Sequence, residues 1–323
     1  VLCRGGMEAI RRFIDWAGPA IWLVMLAMTV WVVVAAKGGI SLNLSGTRLS
    51  HGEAVHQFLA AISLTVAYFS ALLLNFCDFS RFAPDRRAVR WGNFWGLPVN
   101  FVAFSVVSVV TTAGSIAIYG KAIFDPIRLV ERTNNTPIIV IGAVTFTVAT
   151  IGINVVANFV SPAYDLANVW PKHIDFKRGG VITAVVAVVV LPWKIYGDPV
   201  AVQYFLGGLA AFLGPLFGII VTDYHVRRRG QVNVADLYRA TEGSAYYYRK
   251  GWNPKALAAF VPSAAVATVV ALVPGSVVPL FGVLAPFSWF IGAALGAGAY
   301  LILTSGQPAS AAGPAAVTTT PAR

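Results

Sequence analysis

Thr150-Ile151-Gly152-Ile153-Asn154-Val155-Val156-Ala157-Asn158 decides how this chain is read; it is the core of an apolar run over 138–162. As a helix the run is long enough to cross a bilayer, because about 20 apolar residues cover the hydrocarbon thickness. It nevertheless carries two carboxamides. Asn154 and Asn158 stand at i and i+4, so a helix turns them to one face. An unpaired polar group in lipid is costly, which leaves two readings. The pair is either a polar clamp to another helix or one wall of a binding site.

The rest of the chain has the same character. Of 323 residues, 57% are hydrophobic and only 11% charged, against about 25% charged in a soluble domain. This is the composition of a polytopic, all-α integral membrane protein. Taking about 20 apolar residues per crossing, spans are expected at 18–36, 54–78, 93–118, 137–160, 180–197, 201–222, 255–274 and 278–303. Residues 1–304 read as one transmembrane domain. The Ala, Pro, Thr and Ser of 305–323 read as a disordered tail.

The formal net charge is +11, but the cations lie between spans and form no basic nucleic-acid module, so nucleic acid is not an expected partner. They are distributed by side instead. Loops 79–92, 161–179 and 223–254 hold most of the Lys and Arg, whereas the alternate loops hold only Lys37, Arg48, Lys121, Arg128, Arg132 and Lys194. The excess of positive charge on the cytoplasmic side places both ends of the chain in the cytoplasm and the protein in the inner (plasma) membrane. Two cysteines, Cys3 and Cys77, imply no disulfide framework. Val1-Leu2-Cys3-Arg4 has no signal-peptide layout, and the expectation is a fragment with residues missing before Val1.

Three other stretches matter. In the second span, Tyr68 and Phe69 sit among Ser and Thr, a mixture that permits a helix break and offers aromatic faces to a flat ring. In the third span, Ser105, Ser108, Thr111, Thr112 and Ser115 recur at helical spacing, as close helix packing requires. In the sixth, Gly214-Pro215 interrupts the backbone ladder and is a candidate gate or hinge, with a fixed kink as the alternative. The last two spans read as simple apolar scaffold. Asp78 and Arg81 read as local loop anchors.

Several stretches taken together resemble the nucleobase:cation symporter-1 family. They are Leu74-Asn75-Phe76-Cys77-Asp78-Phe79-Ser80-Arg81-Phe82-Ala83-Pro84, Asn154 to Asn158 continuing through Ser161-Pro162-Ala163-Tyr164-Asp165, Leu213-Gly214-Pro215-Leu216-Phe217-Gly218, and Asp236-Leu237-Tyr238 with Gly251-Trp252-Asn253-Pro254. The resemblance implies a leucine-transporter-type inverted-repeat fold of twelve helices, of which the eight spans here would be helices five to twelve. It implies a permease for uracil, cytosine, allantoin, a hydantoin or a related ring, with no covalent chemistry and no cofactor or metal. Asn158 would hydrogen-bond the ring, with Asn154 one turn away. Phe69 falls where the family often has a stacking Trp, and Tyr68 beside it where a small residue is common. The family's sodium-site positions on the eighth helix fall at Ala149, Gly152 and Ile153. No side-chain hydroxyl is present there, so coupling to a proton, or by an unidentified mechanism, is expected in place of sodium. The alternatives to a transporter are a non-transporting remnant or a structural membrane protein.

Overall fold

The computed structural model describes residues 6–41, 49–196, 199–239 and 241–306. The tail beyond 306, Cys3 and the Gly197-Asp198 turn lie outside the described residues. The chain divides into two compact units, Val1–Arg48 with Asn75–Leu191, and Leu49–Leu74 with Pro192–Arg323.

In the first unit, α1 (Gly6–Ala35) packs against both α5 (Asn100–Tyr119) and α7 (Thr136–Asn158). Small and hydroxylated residues bring α1 and α5 together. The hydroxyls of Thr29 and Thr111 lie 3.0 Å apart, and a Cβ at Gly114 would overlap Val32. Nearer the membrane surface, the Trp22 indole N–H donates to the Asn100 carboxamide over 2.9 Å. Two of the five hydroxyl residues expected at helix contacts do other work. Ser105 bonds back to the carbonyl of Phe101 in its own helix. Ser115 accepts from the backbone of Ile123 and so ties down the following loop. That loop contains α6 (Pro126–Glu131), whose Leu129 and Val130 are buried in a cluster with Met25, Met28, Val32 and Val107.

α3 (Cys77–Ser80) and α4 (Arg86–Phe94) lead to α5 through a π-helical turn, Trp95–Val99, that contains Pro98. The stretch after α7, expected as loop, opens instead with α8 (Val160–Val169), which packs against α9 (Phe176–Val189). Gly179 and Gly180 make that contact possible, since a Cβ on Gly179 would lie 2.5 Å from the Ala163 carbonyl oxygen.

In the second unit, α11 (Pro199–Val221), α13 (Pro254–Leu272) and α15 (Ser288–Thr304) form a tight three-helix cluster, with α2 (His51–Leu74) beside α11. The short α10 (Pro192–Tyr196) precedes α11. The last span, expected as one helix, is divided into α14 (Pro279–Leu284), a 3-10 turn (Ala285–Phe287) and α15. Pro279 starts α14 at its first position, and Pro286 accounts for the division, because it cannot donate to a helical ladder. The break that the mixture of Ser, Thr and aromatics permits does not occur in α2: the helix runs unbroken through Tyr68 and Phe69. Its small face is anchored instead, with the Ser63 hydroxyl donating to the Pro286 carbonyl over 2.6 Å.

Among the described residues, seven helical segments are long and apolar enough to cross a membrane, and α7 contributes a further apolar stretch at Thr136–Gly152. The chain is a multi-pass, all-α membrane protein.

Candidate functional site

α7 is started by Asn135, whose side chain caps the backbone N–H of Ile138, with Pro137 in the first turn. This is a strong helix start, and the helix then runs unbroken to Asn158. Its end positions the candidate residues. The Asn154 amide N–H donates to the Thr150 carbonyl over 2.8 Å. The Asn154 side-chain oxygen accepts from the Asn158 amide over 3.0 Å. The two carboxamides thus form a ladder along one face, and both residues are exposed. The hydrogen bonds that hold them stay inside α7 and, among the described residues, reach no second helix. The ladder fixes both planes. It leaves the carbonyl oxygen of Asn158 and the second N–H of each amide aimed away from the bonds just described. A ring amide, with C=O next to N–H, is complementary to such a donor and acceptor edge.

The positions matched to a cation site lie on the same helix. Ala149 is half-buried. Gly152 packs under α1, and a Cβ there would lie 3.1 Å from the Phe13 ring. Its carbonyl sits inside the unbroken helical ladder, where it is already an acceptor. The side chain of Ile153 lies outside the described residues.

Tyr68 and Phe69 belong to the second unit. Their rings meet edge to face, with centroids 5.1 Å apart. Tyr68 is 70% exposed, while Ser63 and Ser70 of the same helix are buried. The small residues therefore face the neighbouring helices, Tyr68 faces away from them, and Phe69 is half-buried. Gly214 and Pro215 are in a different environment. α11 continues through Pro215, which is fully buried. It packs against Gly292 and Gly296 of α15, where added Cβ atoms would each lie 2.6 Å from Pro215. A Cβ at Gly214 would strike the backbone carbonyl of Trp289. The glycine is required here for close approach of two helices.

One group of residues has a larger role than its sequence suggests. Asp78 is buried at 4% exposure and paired with Arg81. The Arg81 guanidinium also lies over the Tyr164 ring at 4.3 Å, and Tyr164 packs on Phe176 of α9 at 4.6 Å. Asp165, beyond the apolar part of α7, has its carboxyl pushed above the ordinary aspartate range. Partial burial is the main cause, with the Asp78 charge adding to it and a hydrogen bond from Asn75 opposing it. Asp78 and Arg81 thus do more than anchor a local turn, because they tie α3 to α8. The signal available in the sequence is the pairing of Asn75, Asp78 and Arg81 with the distant Tyr164-Asp165.

A family profile described as "Permease for cytosine/purines, uracil, thiamine, allantoin" matches residues 2–292. The chain is 38% identical to the allantoin permease of Bacillus subtilis over 304 residues, covering 94% of this chain and 61% of that protein. It is 30% identical to the uracil permease of Saccharomyces cerevisiae, covering 72% of this chain and 38% of that protein. It is also 30% identical to the hydantoin permease of Microbacterium maritypicum, covering 79% of this chain and 53% of that protein. The chain therefore spans about three fifths or less of the length of these relatives. No solved structure matches it. With a helical membrane architecture, the family's order of motifs and a match over nearly all its length, the chain belongs to the cytosine/purine, uracil, thiamine and allantoin permease family.

Proposed function

We propose that this chain works in a secondary active permease that imports a nucleobase-like or ureide ring, such as allantoin, uracil, cytosine or a hydantoin, across the inner (plasma) membrane. Transport would proceed by alternating access in a leucine-transporter-type inverted-repeat fold, with the C-terminus in the cytoplasm. The observation that carries this reading is the Asn154–Asn158 ladder, an exposed donor and acceptor edge on an otherwise apolar helix, in a chain of a permease family. Asn158 would bond the ring amide, with Asn154 holding its plane. Phe69 and Tyr68, in the other unit, are proposed separately as aromatic surface for a flat ring. Allantoin is the first candidate to try, because the Bacillus relative aligned over most of this chain bears that name.

Coupling to protons is favoured over sodium. Ala149, Gly152 and Ile153 offer no side-chain oxygen, and a hard cation binds through several oxygens. No Asp or Glu stands in the middle of any span, so within this chain Asp78 and Asp165 are the candidate proton-carrying groups.

The test is uptake of labelled allantoin, uracil, cytosine and a hydantoin by cells expressing the protein. Asn158→Ala is expected to weaken uptake about tenfold or more, the equivalent of one lost hydrogen bond to a polar ring. Uptake unchanged by Asn158→Ala would refute the site. Replacing sodium by choline should leave uptake intact, and collapsing the pH gradient should abolish it.

A further inference from the structure

The segment between α11 and α13 has its polarity arranged in an unusual way. It starts with a π-helical turn, Thr222–Arg227, and contains the short α12 (Val234–Leu237). Its polar groups are bonded to one another. The Arg228 guanidinium donates to Asp223 over 2.6 Å and to the Tyr248 hydroxyl over 2.8 Å, and it lies 4.7 Å from the Tyr246 ring centroid. The Tyr300 hydroxyl of α15 donates to the other oxygen of Asp223 over 2.8 Å. Asp236 accepts from Asn233 and from the backbone of Ala245. The large apolar side chains point outward instead. Tyr238 is 87% exposed, Trp252 66%, Val234 62% and Leu237 54%. A loop surrounded by water places such residues the other way round, since their burial is the main gain available to it.

Two further observations say what covers this surface. Both flanking helices are apolar enough to span, Tyr204–Arg227 on one side and Pro254–Leu272 on the other. The Tyr300 bond pins the loop to the last turns of a third, Pro279–Thr304. The loop is therefore held at the membrane surface. It also carries six Lys and Arg against three Asp and Glu. Asp223 and Asp236 are engaged with Arg228 and, at 3.7 Å, with Arg239. Arg229, Arg249 and Lys250 are exposed and form no ion pair among the described residues. Arg249 and Lys250 adjoin the exposed Trp252, and the Arg249 backbone is bridged to that of Trp252.

We propose that this loop is a docking surface for anionic phospholipid headgroups of the leaflet it lies against. Tyr238, Leu237, Val234 and Trp252 sit at headgroup level, and Arg229, Arg249 and Lys250 take the phosphates. Aromatic rings and cations are the residues that favour this boundary. The proposal depends on neither substrate nor coupling ion.

The experiment uses the whole protein in Cys3→Ser, Cys77→Ser form, with Tyr238→Cys carrying a nitroxide label. It is reconstituted into vesicles of phosphatidylcholine alone, or with phosphatidylglycerol as the anionic component in both leaflets. The label is expected to be accessible to lipid-dissolved oxygen and shielded from an aqueous nickel reagent when the anionic lipid is present. It should emerge into water when that lipid is omitted or salt is raised. Arg229→Gln with Arg249→Gln and Lys250→Gln should lower the docked-to-undocked ratio about a hundredfold in anionic vesicles. If that triple variant does not fold, the salt titration of the labelled parent decides alone. A label in water under every condition overturns the proposal. So does one shielded from both reagents, which would mean that protein covers the surface.

Discussion

Replacing Gly214 by alanine separates a hinge from a packing contact. In an ordinary helix position alanine is the better residue, by about 0.8–1.0 kcal/mol over glycine. Gly298 of α15 is such a position, since a Cβ there meets nothing within 4 Å. Gly298→Ala is therefore expected to be neutral or slightly stabilising. At Gly214 the same Cβ strikes the backbone carbonyl of Trp289, and at Gly218 that of Ala293. A backbone atom cannot rotate aside, so α11 and α15 must move apart. Overpacking of this kind costs about 1–3 kcal/mol, and the rigid obstacle argues for the upper end of that range. Set against the propensity gain, Gly214→Ala and Gly218→Ala should each lose about 1–2 kcal/mol. The assay is equilibrium unfolding of the detergent-solubilised protein, with Gly298→Ala measured alongside. If Gly214→Ala were as stable as Gly298→Ala but slow in transport, the packing argument would be refuted and a hinge at Gly214-Pro215 supported.

The first unit supplies two more expected outcomes. The raised proton affinity of Asp165 means that the folded protein holds this proton better than the unfolded chain. The resulting stability is present below the ordinary aspartate value of about 3.9 and is lost as pH rises through the higher folded value. Asp165→Asn should therefore melt at a higher temperature than the parent at neutral pH, with the difference vanishing in acid; a gain that persists in acid would contradict it. The Thr29–Thr111 contact should give a coupling of about 0.6 kcal/mol in a double-mutant cycle of valine substitutions, the average for interhelical hydrogen bonds in a membrane protein. Zero coupling would mean that the two hydroxyls bond only within their own helices, as Thr29 does to Met25.

How much of this is legible in the sequence depends on the range of the physics involved. Membrane spans are local: about 20 apolar residues in a row suffice, and helix stands at each of the eight expected positions, although the fifth is split into α9 and α10 and the last is broken around Pro286. The side-by-side placing of Asn154 and Asn158 also comes from helix geometry alone. The conformation just past the end of a span depends on more distant residues. α8 forms after α7 because Gly179 and Gly180 of α9 leave room for it, and that room cannot be seen from 160–169. The mixture of Ser, Thr and aromatics in the second span permits a break. The span stays helical, and its Ser63 bonds to the carbonyl of Pro286, far away in the chain.

The sequence by itself therefore determined the membrane class, the order of the helices and the residue types available for recognition. Tertiary structure decided their use. It keeps the described bonds of the two carboxamides within α7, which leaves a donor and acceptor edge on Asn158. It sets Gly214-Pro215 into α15 as a packing contact. It brings Asp78 of α3 to Asp165 of α8 across more than 80 residues of chain. In each case the deciding term is which atom lies opposite. That is a property of two segments together, and neither segment's composition contains it.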